Sequence, residues 1–405
     1  MFFAEQLNHT NAEILYLDFS KASMEIAKNR AKIRGLHNIV WITSWIEGII
    51  KFGIGKLDYC ESAGVLHHLK SPLRGLNTLK DILTENGGME IMVYAKYGRT
   101  YIYQMQRLFQ TLDYPKQSTI SEELKNVKII LNALPENNLF QQLMVRYKDV
   151  QVMGDVGVYD LLLHKRDVSF SILDVHKWVG IGGMSLLDFA YYKSRLKFNI
   201  DYVIHDEIIL NMLRKKNLMS HKRAICEIIH ADIIKHEIYL SKHKNAEASI
   251  HDPANLIYIY GAPRGFRQAL SNQNNYQRIG NQTYFYSRMY EYFFNSASIN
   301  STRYLSTIRS SPSYDVTMIF RFPVNEYVMF LIDKLTESNK GTTLLDSFTS
   351  FTYSMNSTLT NTELFEVCKR FYYTAKDTGM FLLKKRRVGT FPKTHLLTSF
   401  QIYSI

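Results

Sequence analysis

Short apolar runs of strand length alternate with helical patterns over the first hundred residues, and this alternation constrains the fold more than any other feature. The runs cover residues 12–17, 38–42, 57–61 and 89–95. Strands that are apolar on both faces and separated by helices predict a parallel sheet that is covered on both sides. We therefore expect these segments to be neighbouring strands of one mainly parallel sheet, because their connections are of crossover length.

Local signals predict where the intervening helices begin and end. Ser20 suits the N-cap of a helix over residues 21–34, because its hydroxyl can accept from a free amide of the first turn. Gly35 can end that helix in a left-handed conformation. Ser71, followed by proline, predicts the start of a second helix. That helix is expected to run to a turn at residues 86–88, ahead of the fourth strand.

Polar residues follow three of the predicted strands. They are Asp18, Ser44 and the segment 64–68. In sheets of this kind ligands bind beyond the carboxyl ends of the strands. An acid at such an end can accept hydrogen bonds from both hydroxyls of a ribose. The alternative interpretation of Asp18 is a helix-capping acid beside Ser20.

Four blocks of sequence, in this order and spacing, resemble the class I S-adenosylmethionine-dependent methyltransferases. The blocks are residues 17–24 (LDFSKASM), 58–59 (DY), 64–69 (GVLHHL) and 86–94 (NGGMEIMVY). As a pattern the resemblance covers roughly residues 5–195. It implies an α/β fold with a Rossmann-like, mostly parallel sheet and helices on both faces. It also implies S-adenosylmethionine as the methyl donor and an acceptor held over the same strand ends.

The resemblance implies a set of cofactor-binding residues. These are Asp18, Phe19, Met24, Ser44, Trp45, Gly64 and Val65. Met24 would pack against the adenine, and Val65 with Leu66 would form the floor below the methionine moiety. An ordinary core role is an equal alternative for these three. Ser44 and Trp45 stand where the family often carries an acid that meets the adenine amino group. No catalytic residue is implied, because proximity and orientation can suffice for methyl transfer.

The family's glycine-rich turn lies roughly 20 residues before the acidic residue. No glycine occurs before Gly35 in this chain. The resemblance therefore implies an N-terminally truncated member that lacks the first strand and the glycine loop, and we expect weak or absent binding of S-adenosylmethionine. The predicted function is methyl transfer to an unidentified acceptor. The alternative is a non-catalytic scaffold that binds a protein or nucleic-acid partner.

Histidines invite a metal or general-base interpretation. The adjacent His67 and His68 point apart on a strand and are about 100° apart on a helix, which is poor geometry for chelation, so no metal site is predicted. We favour a structural role at the strand end, with one imidazole acting as a base near the acceptor as the alternative. Residues 159–167 could line the acceptor side or hold an Arg166–Asp167 surface pair. The four histidines of residues 206–245, a stretch expected to form two amphipathic helices, are expected at the surface: His221, His230, His236 and His243.

Composition shifts along the chain predict three parts. Residues 1–195 form the methyltransferase-like domain, 196–254 a helical connector that ends at Asp252-Pro253, and 255–405 a C-terminal α+β domain. In the last part, helices at 325–335, 342–351 and 362–378 and a strand at 380–383 follow the order of a winged-helix module. That analogy predicts a regulatory role or a protein partner.

The charge balance limits the partners only loosely. Lys plus Arg number 49 and Asp plus Glu 37, which gives a net charge of +12. The excess lies after residue 95 and includes the run at residues 384–387. Two interpretations of this excess stay open. It could favour a nucleic-acid partner, or it could be a basic surface that keeps the protein soluble. The absence of a signal peptide or membrane-length apolar run, together with the wide spacing of the cysteines, predicts a reducing, cytoplasmic location. The cysteines are Cys60, Cys226 and Cys368.

Overall fold

The computed structural model describes most of the first 244 residues and shorter stretches beyond them. The described ranges are 1–112, 119–143, 154–164, 166–190, 192–204, 206–215, 218–244, 251, 256–259, 272–279, 282–290, 317–337, 342–375 and 381–384. The chain divides into two compact units, Met1–Asn245 and Ala246–Ile402. The expected boundary at residues 252–255 and the basic run after residue 384 lie outside the described residues.

The first unit is a mixed α/β structure. Its strands are β1 (Ile14–Asp18), β2 (Ile39–Thr43), β3 (Leu57–Ala63), β4 (Leu83–Tyr94), β5 (Ser185–Phe189) and β6 (Lys235–Ser241). Its helices are α1 (Phe2–Gln6), α2 (Lys21–Ile33), α3 (Pro72–Ile82), α4 (Thr100–Thr111), α5 (Ile120–Asn132), α6 (Leu139–Leu143), α7 (Ile172–Ile181), α8 (Tyr192–Lys197), α9 (Ile200–Val203), α10 (Glu207–Arg214) and α11 (Met219–His230). Two 3₁₀ helices, Ile46–Phe52 and Leu66–His68, follow β2 and β3. This is the Rossmann-like α/β class that the sequence predicts.

The parallel pairing of the first four strands is confirmed, but in two pairs. β1 pairs with β2 and β3 pairs with β4, both in parallel. β6 then adds to β4, and β5 to β6, in antiparallel register, so the larger sheet has the order β3-β4-β6-β5. Among the described residues β1 and β3 are not hydrogen-bonded to each other, so the four strands do not form the single ladder that we expected.

One large core holds the first unit together. Alternate residues of β4 point into it, among them the fully buried Ile91 and Val93, and residues of α3, α7 and α11 cover the same face. Leu15 and Leu17 of β1 pack against this core too, so both strand pairs share it. A smaller cluster joins residues of α1 and α2 to the other side of β1 and β2. Helices therefore lie on both faces around β1 and β2.

Helix boundaries follow the predicted signals. The side chain of Ser20 accepts from the Ser23 amide as the N-cap of α2, and Ser71 caps α3 in the same way. Gly35 has a φ of 63°, the left-handed conformation that glycine adopts most readily. The short polar side chains at these positions satisfy amides that have no partner within the helix.

Two expectations about local structure differ from what is observed. The predicted turn at residues 86–88 is part of β4, which begins at Leu83 and absorbs the extra residues in an irregularity opposite Leu57 and Tyr59. The stretch expected as a helical connector contains β6, which pairs with β4 along the core. The alternating burial of Lys235–Ser241 is a strand period within a stretch of otherwise helical spacing.

In its described residues, the second unit contains two antiparallel sheets and three longer helices. One sheet has the order β10-β9-β8, formed by β8 (Tyr276–Ile279), β9 (Gln282–Tyr290) and β10 (Thr317–Val324). The other has the order β11-β7-β12, formed by β7 (Leu256–Ile259), β11 (Thr342–Thr343) and β12 (Phe381–Lys384). The helices are α12 (Glu326–Glu337), α13 (Leu344–Met355) and α14 (Asn361–Ala375). The order helix, strand, helix, helix, strand agrees with the elements that suggested a winged-helix analogy, which stays a prediction.

Two further observations concern the whole described chain. All three cysteines are free. Within the residues that the structure describes, none of the helices combines the length and apolar character needed to cross a bilayer.

Candidate functional site

Four of the predicted site residues lie together where β1 and β2 end. The register places Asp18 opposite Thr43, and the amide of Ser44 donates to the carbonyl of Asp18 across 3.0 Å. Phe19 and Trp45 follow immediately on the two chains. We call Asp18, Phe19, Ser44 and Trp45 the β1–β2 end. Parallel pairing brings these four residues to one edge, which is where ligands bind in such sheets.

The carboxylate of Asp18 has a local role and retains capacity for a ligand. Its Oδ1 accepts a hydrogen bond of 2.8 Å from the amide of Ser20. The N-cap of α2 is Ser20 itself, whose hydroxyl accepts from Ser23, so Asp18 is not the cap. No hydrogen bond to Oδ2 occurs among the described residues. A carboxylate has several acceptor sites, so Oδ2 can still accept from hydroxyl donors.

Phe19 and Trp45 form a flat aromatic surface beside this carboxylate. Their ring centroids are 4.3 Å apart and their planes differ by 8°. Both side chains are largely exposed, Phe19 at 59% and Trp45 at 60%. Two large aromatic rings held parallel in solvent present a face on which a further planar ring can stack.

The other predicted cofactor residues, Met24, Gly64 and Val65, do not lie at the β1–β2 end. Met24 lies in α2 with 1% exposure, so its side chain is a core residue in this conformation. Gly64 follows β3 with a φ of 74°, a conformation that favours glycine, and its amide donates to the carbonyl of Met92. Val65 is partly exposed and Leu66 fully buried. Gly64 and Val65 thus lie at a strand end, although not at the end that carries Asp18.

A group of closely packed, mutually tilted rings follows β3 and β4, and we call it the histidine cluster. It consists of His67, His68, His164 and Tyr94. The ring centroid of His67 lies 4.0 Å from that of Tyr94 and 4.1 Å from that of His68. The centroids of His68 and His164 are 3.9 Å apart. His164 reaches the strand ends because residues 166–170 run beside them. In that stretch the amide of Val168 donates to the His67 carbonyl, and that of Phe170 to the Tyr94 carbonyl.

The imidazoles of this cluster have different surroundings. His67 is fully buried, and among the described residues neither of its ring nitrogens has a partner with good hydrogen-bond geometry, although the backbone of Met92 acts to raise its pKa. Burial, reinforced by His68 and Arg99 nearby, lowers the pKa of His67 to about 2. His68 is half-buried, and burial also lowers its pKa. Both rings are therefore neutral at neutral pH.

A buried ion pair borders the cluster, and the sequence did not indicate it. The guanidinium of Arg99 lies 3.5 Å from the Tyr94 ring, and its Nη2 lies 3.5 Å from Oδ2 of Asp167. The same Oδ2 accepts from Gln106 across 3.0 Å. The alternative of an Arg166–Asp167 surface pair is therefore wrong, because Asp167 points inward to Arg99. Sequence separation hides such a pair, since no local pattern links positions so far apart.

One more histidine departs from expectation. His236, expected at the surface, is buried in β6, where its Nε2 lies 3.0 Å from the Phe170 carbonyl and 3.1 Å from Oε1 of Glu227. Oε2 of Glu227 accepts from the amide of Ile172 at the start of α7. This network joins β6, α7 and α11. Within the described ranges, no three His, Cys, Asp or Glu side chains are grouped so that they could hold a metal ion.

The sequence of this chain is similar to a known protein family and to a curated protein. Residues 1–89 match the family model described as a methyltransferase domain. An uncharacterised protein of Synechococcus sp., syc1184_c, is 26% identical over 188 residues, which is 46% of this chain and 45% of that protein. The match thus spans less than half the length of this curated relative.

Solved structures extend the likeness beyond the family match. PKMT2 from Rickettsia typhi in complex with AdoHcy aligns with a TM-score of 0.56 and 12% identity, over 92% of this chain and 67% of that one. A second structure of PKMT2 aligns with a TM-score of 0.54. At such identity the likeness concerns the fold. Together with the family match it confirms the predicted resemblance to class I S-adenosylmethionine-dependent methyltransferases.

Proposed function

We propose that this chain is a methyltransferase that takes its methyl group from S-adenosylmethionine, bound at the β1–β2 end. One observation carries the proposal. A carboxylate with a free oxygen and a flat aromatic surface lie at the same edge of a parallel strand pair, within a chain similar to methyltransferases. Asp18 would accept from the ribose hydroxyls, and Phe19 with Trp45 would offer a stacking face to the adenine.

The residues present suit the nucleoside end of such a donor. Adenine is planar and stacks on aromatic rings, and a ribose diol donates two hydrogen bonds to one carboxylate. Ser44 adds a hydroxyl that now donates to the Trp45 carbonyl across 3.1 Å. Gly64 and Val65 are proposed to meet the methionine end from β3. When bound, the donor supplies an electrophilic methyl group on a sulfonium.

The acceptor is not specified by this site, so the proposal concerns the donor and the reaction type. PKMT2 was solved with AdoHcy, the demethylated product of the donor, which supports the choice of this cofactor over a dinucleotide. A cytoplasmic location and a protein partner of the second unit are further proposals. They rest on the sequence pattern described above.

Tryptophan fluorescence tests the proposed place of the cofactor. Titration of the wild-type chain with S-adenosylhomocysteine should quench emission, because Trp45 is exposed and would stack on the adenine. The Trp45→Phe variant should lose most of this quenching. Trp178→Phe is the matched control, since Trp178 is buried in α7, and it should keep the quenching. Equal quenching in Trp45→Phe and wild type would place the nucleoside elsewhere.

A further inference from the structure

The backbone of Arg166 determines which ring nitrogen carries the hydrogen in two neighbouring imidazoles, His68 and His164. Its carbonyl lies 2.7 Å from Nδ1 of His68. A carbonyl can only accept, so Nδ1 of His68 carries the hydrogen and Nε2 carries the lone pair. The amide of Arg166 donates to Nδ1 of His164 across 3.2 Å. In the neutral His164 ring the hydrogen is therefore on Nε2.

The His68 and His164 rings, which are in contact at a tilt of 39°, thus hold opposite tautomers, and of the two only His68 offers an unprotonated Nε2. No group of the described residues forms a hydrogen bond with that nitrogen. Its neighbour His67 is different, because His67 is fully buried and packs against Tyr94. His67 thus supports the strand end, whereas half-buried His68 retains access to a ligand. A free lone pair of fixed direction is what a general base requires.

We propose that His68 is the general base that deprotonates the methyl acceptor. This inference rests on the proposed function and deepens it. The acceptor is of the class whose reacting atom bears a proton, such as a hydroxyl or a protonated amine, rather than a carboxylate or thioether. The proton moves from the acceptor to Nε2, and the freed lone pair forms the bond to the methyl carbon. The carbon–sulfur bond breaks with its electron pair on sulfur, and the imidazolium returns its proton to water.

The surroundings suit a base that is neutral before the reaction and charged during it. Burial is the largest influence and lowers the pKa of His68, and a charged His164 would lower it further. The Arg166 carbonyl, Asp167 and Asp160 act in the opposite direction and favour the imidazolium. The rings of His67 and Tyr94 also pack against His68. Arg99 stands behind them, paired with Asp167.

Imidazole nitrogen NMR of the full chain tests the tautomer directly and needs no cofactor or acceptor. At pH 7.5 we expect the Nε2 resonance of His68 at the position of an unprotonated nitrogen and its Nδ1 as a protonated one. His164 should show the reverse pattern. A His68→Asn variant assigns the signal, because the amide nitrogen can keep donating to the Arg166 carbonyl. A protonated Nε2 on His68 at this pH would overturn the proposal.

Chemical labelling and transfer rates complete the test. Diethylpyrocarbonate should modify His68 and leave His67 unmodified, and the opposite order would contradict the assignment. With a tryptic digest of a bacterial proteome as mixed acceptor, or any acceptor that wild type methylates, His68→Asn should lower kcat by about 100-fold or more. His68→Gln should do the same, and exposed His221→Asn should not. An unchanged kcat in both His68 variants would refute the base.

These outcomes separate the inference from the proposed function. Failure of S-adenosylhomocysteine to bind the wild-type chain would refute the cofactor assignment, whatever the state of His68. Binding that persists in His68→Asn, together with a lost rate, would support both. Binding with the wrong His68 tautomer would leave the cofactor site in place and remove the base.

Discussion

The β1–β2 end and the histidine cluster both lie beyond the carboxyl ends of parallel strands, yet they are built in opposite ways. The first is open: Phe19 and Trp45 are mostly exposed and Asp18 keeps a free oxygen. The second is closed, with His67 fully buried and Arg99 paired to Asp167. Groups that meet a ligand need access, whereas groups that orient a reacting atom need rigid surroundings. This difference supports the two proposals, which place donor binding at the β1–β2 end and proton transfer at His68 of the histidine cluster.

Removal of Glu227 should have the largest effect on stability, because its network holds the segment that runs beside the histidine cluster. Glu227→Ala leaves the Ile172 amide and the His236 nitrogen without a shared partner. We expect the free energy of unfolding, measured by urea denaturation, to fall by about 3 kcal/mol. Glu237→Ala, which removes a half-buried carboxylate paired with Lys235, should cost less than about 1 kcal/mol. Equal losses of unfolding free energy in the two variants would show that the buried Glu227 network stabilises the fold no more than a half-buried ion pair does.

Acid should lower the stability of the folded chain through His67 of the histidine cluster. The pKa of His67 in the folded chain is lowered to about 2 by burial, whereas an unfolded histidine titrates near 6.5. Between these values the unfolded chain binds the extra proton, so the stability that His67 contributes is present above about pH 6.5 and is lost as pH falls. The slope is about 1.4 kcal/mol per pH unit for one group.

Denaturation curves of wild type and His67→Gln at pH 7.5, 6.5 and 5.5 measure this slope. The difference in unfolding free energy between the two should shrink as pH falls. His221→Gln serves as the control on exposed helix surface. A constant difference between wild type and His67→Gln would mean that His67 is not held neutral by burial.

Substitutions at the β1–β2 end should have the smallest effect on the free energy of unfolding. Phe19→Ala or Trp45→Ala removes an exposed stack that is worth about 0.5–1.5 kcal/mol, so the free energy of unfolding should change by no more than about that amount. Nucleoside affinity, in contrast, should fall clearly in both. A loss of several kcal/mol from either change would show that these rings support the fold, which would break the comparison.

The fold was predictable where a local pattern determines it. Ser20, Gly35 and Ser71 mark helix boundaries in the sequence, and apolar runs located β1 to β4. Positions that depend on distant partners were not predictable. The inward turn of Asp167, the burial of His236 and the place of β6 follow from side chains dozens of residues away.

The candidate site divides in the same way. Asp18 ends β1, and Ser44 and Gly64 directly follow β2 and β3, so the rule that ligands bind at strand ends was enough to select them. Trp45 and Phe19 were expected singly, and their mutual stack could not be anticipated because it depends on the register of β1 with β2. The tautomer of His68 depends on the backbone of Arg166, which no residue pattern reveals.

Calorimetric titration with S-adenosylhomocysteine tests the central claim most directly. We predict saturable binding of one ligand per chain, weak enough to need high protein concentration, and at least about tenfold weaker in Asp18→Asn, because a charge-assisted hydrogen bond to the ribose is lost. Glu13→Gln, which changes an exposed carboxylate just before β1, should bind as wild type does. Binding that is unaffected by Asp18→Asn would contradict the account, because the nucleoside would then lie elsewhere.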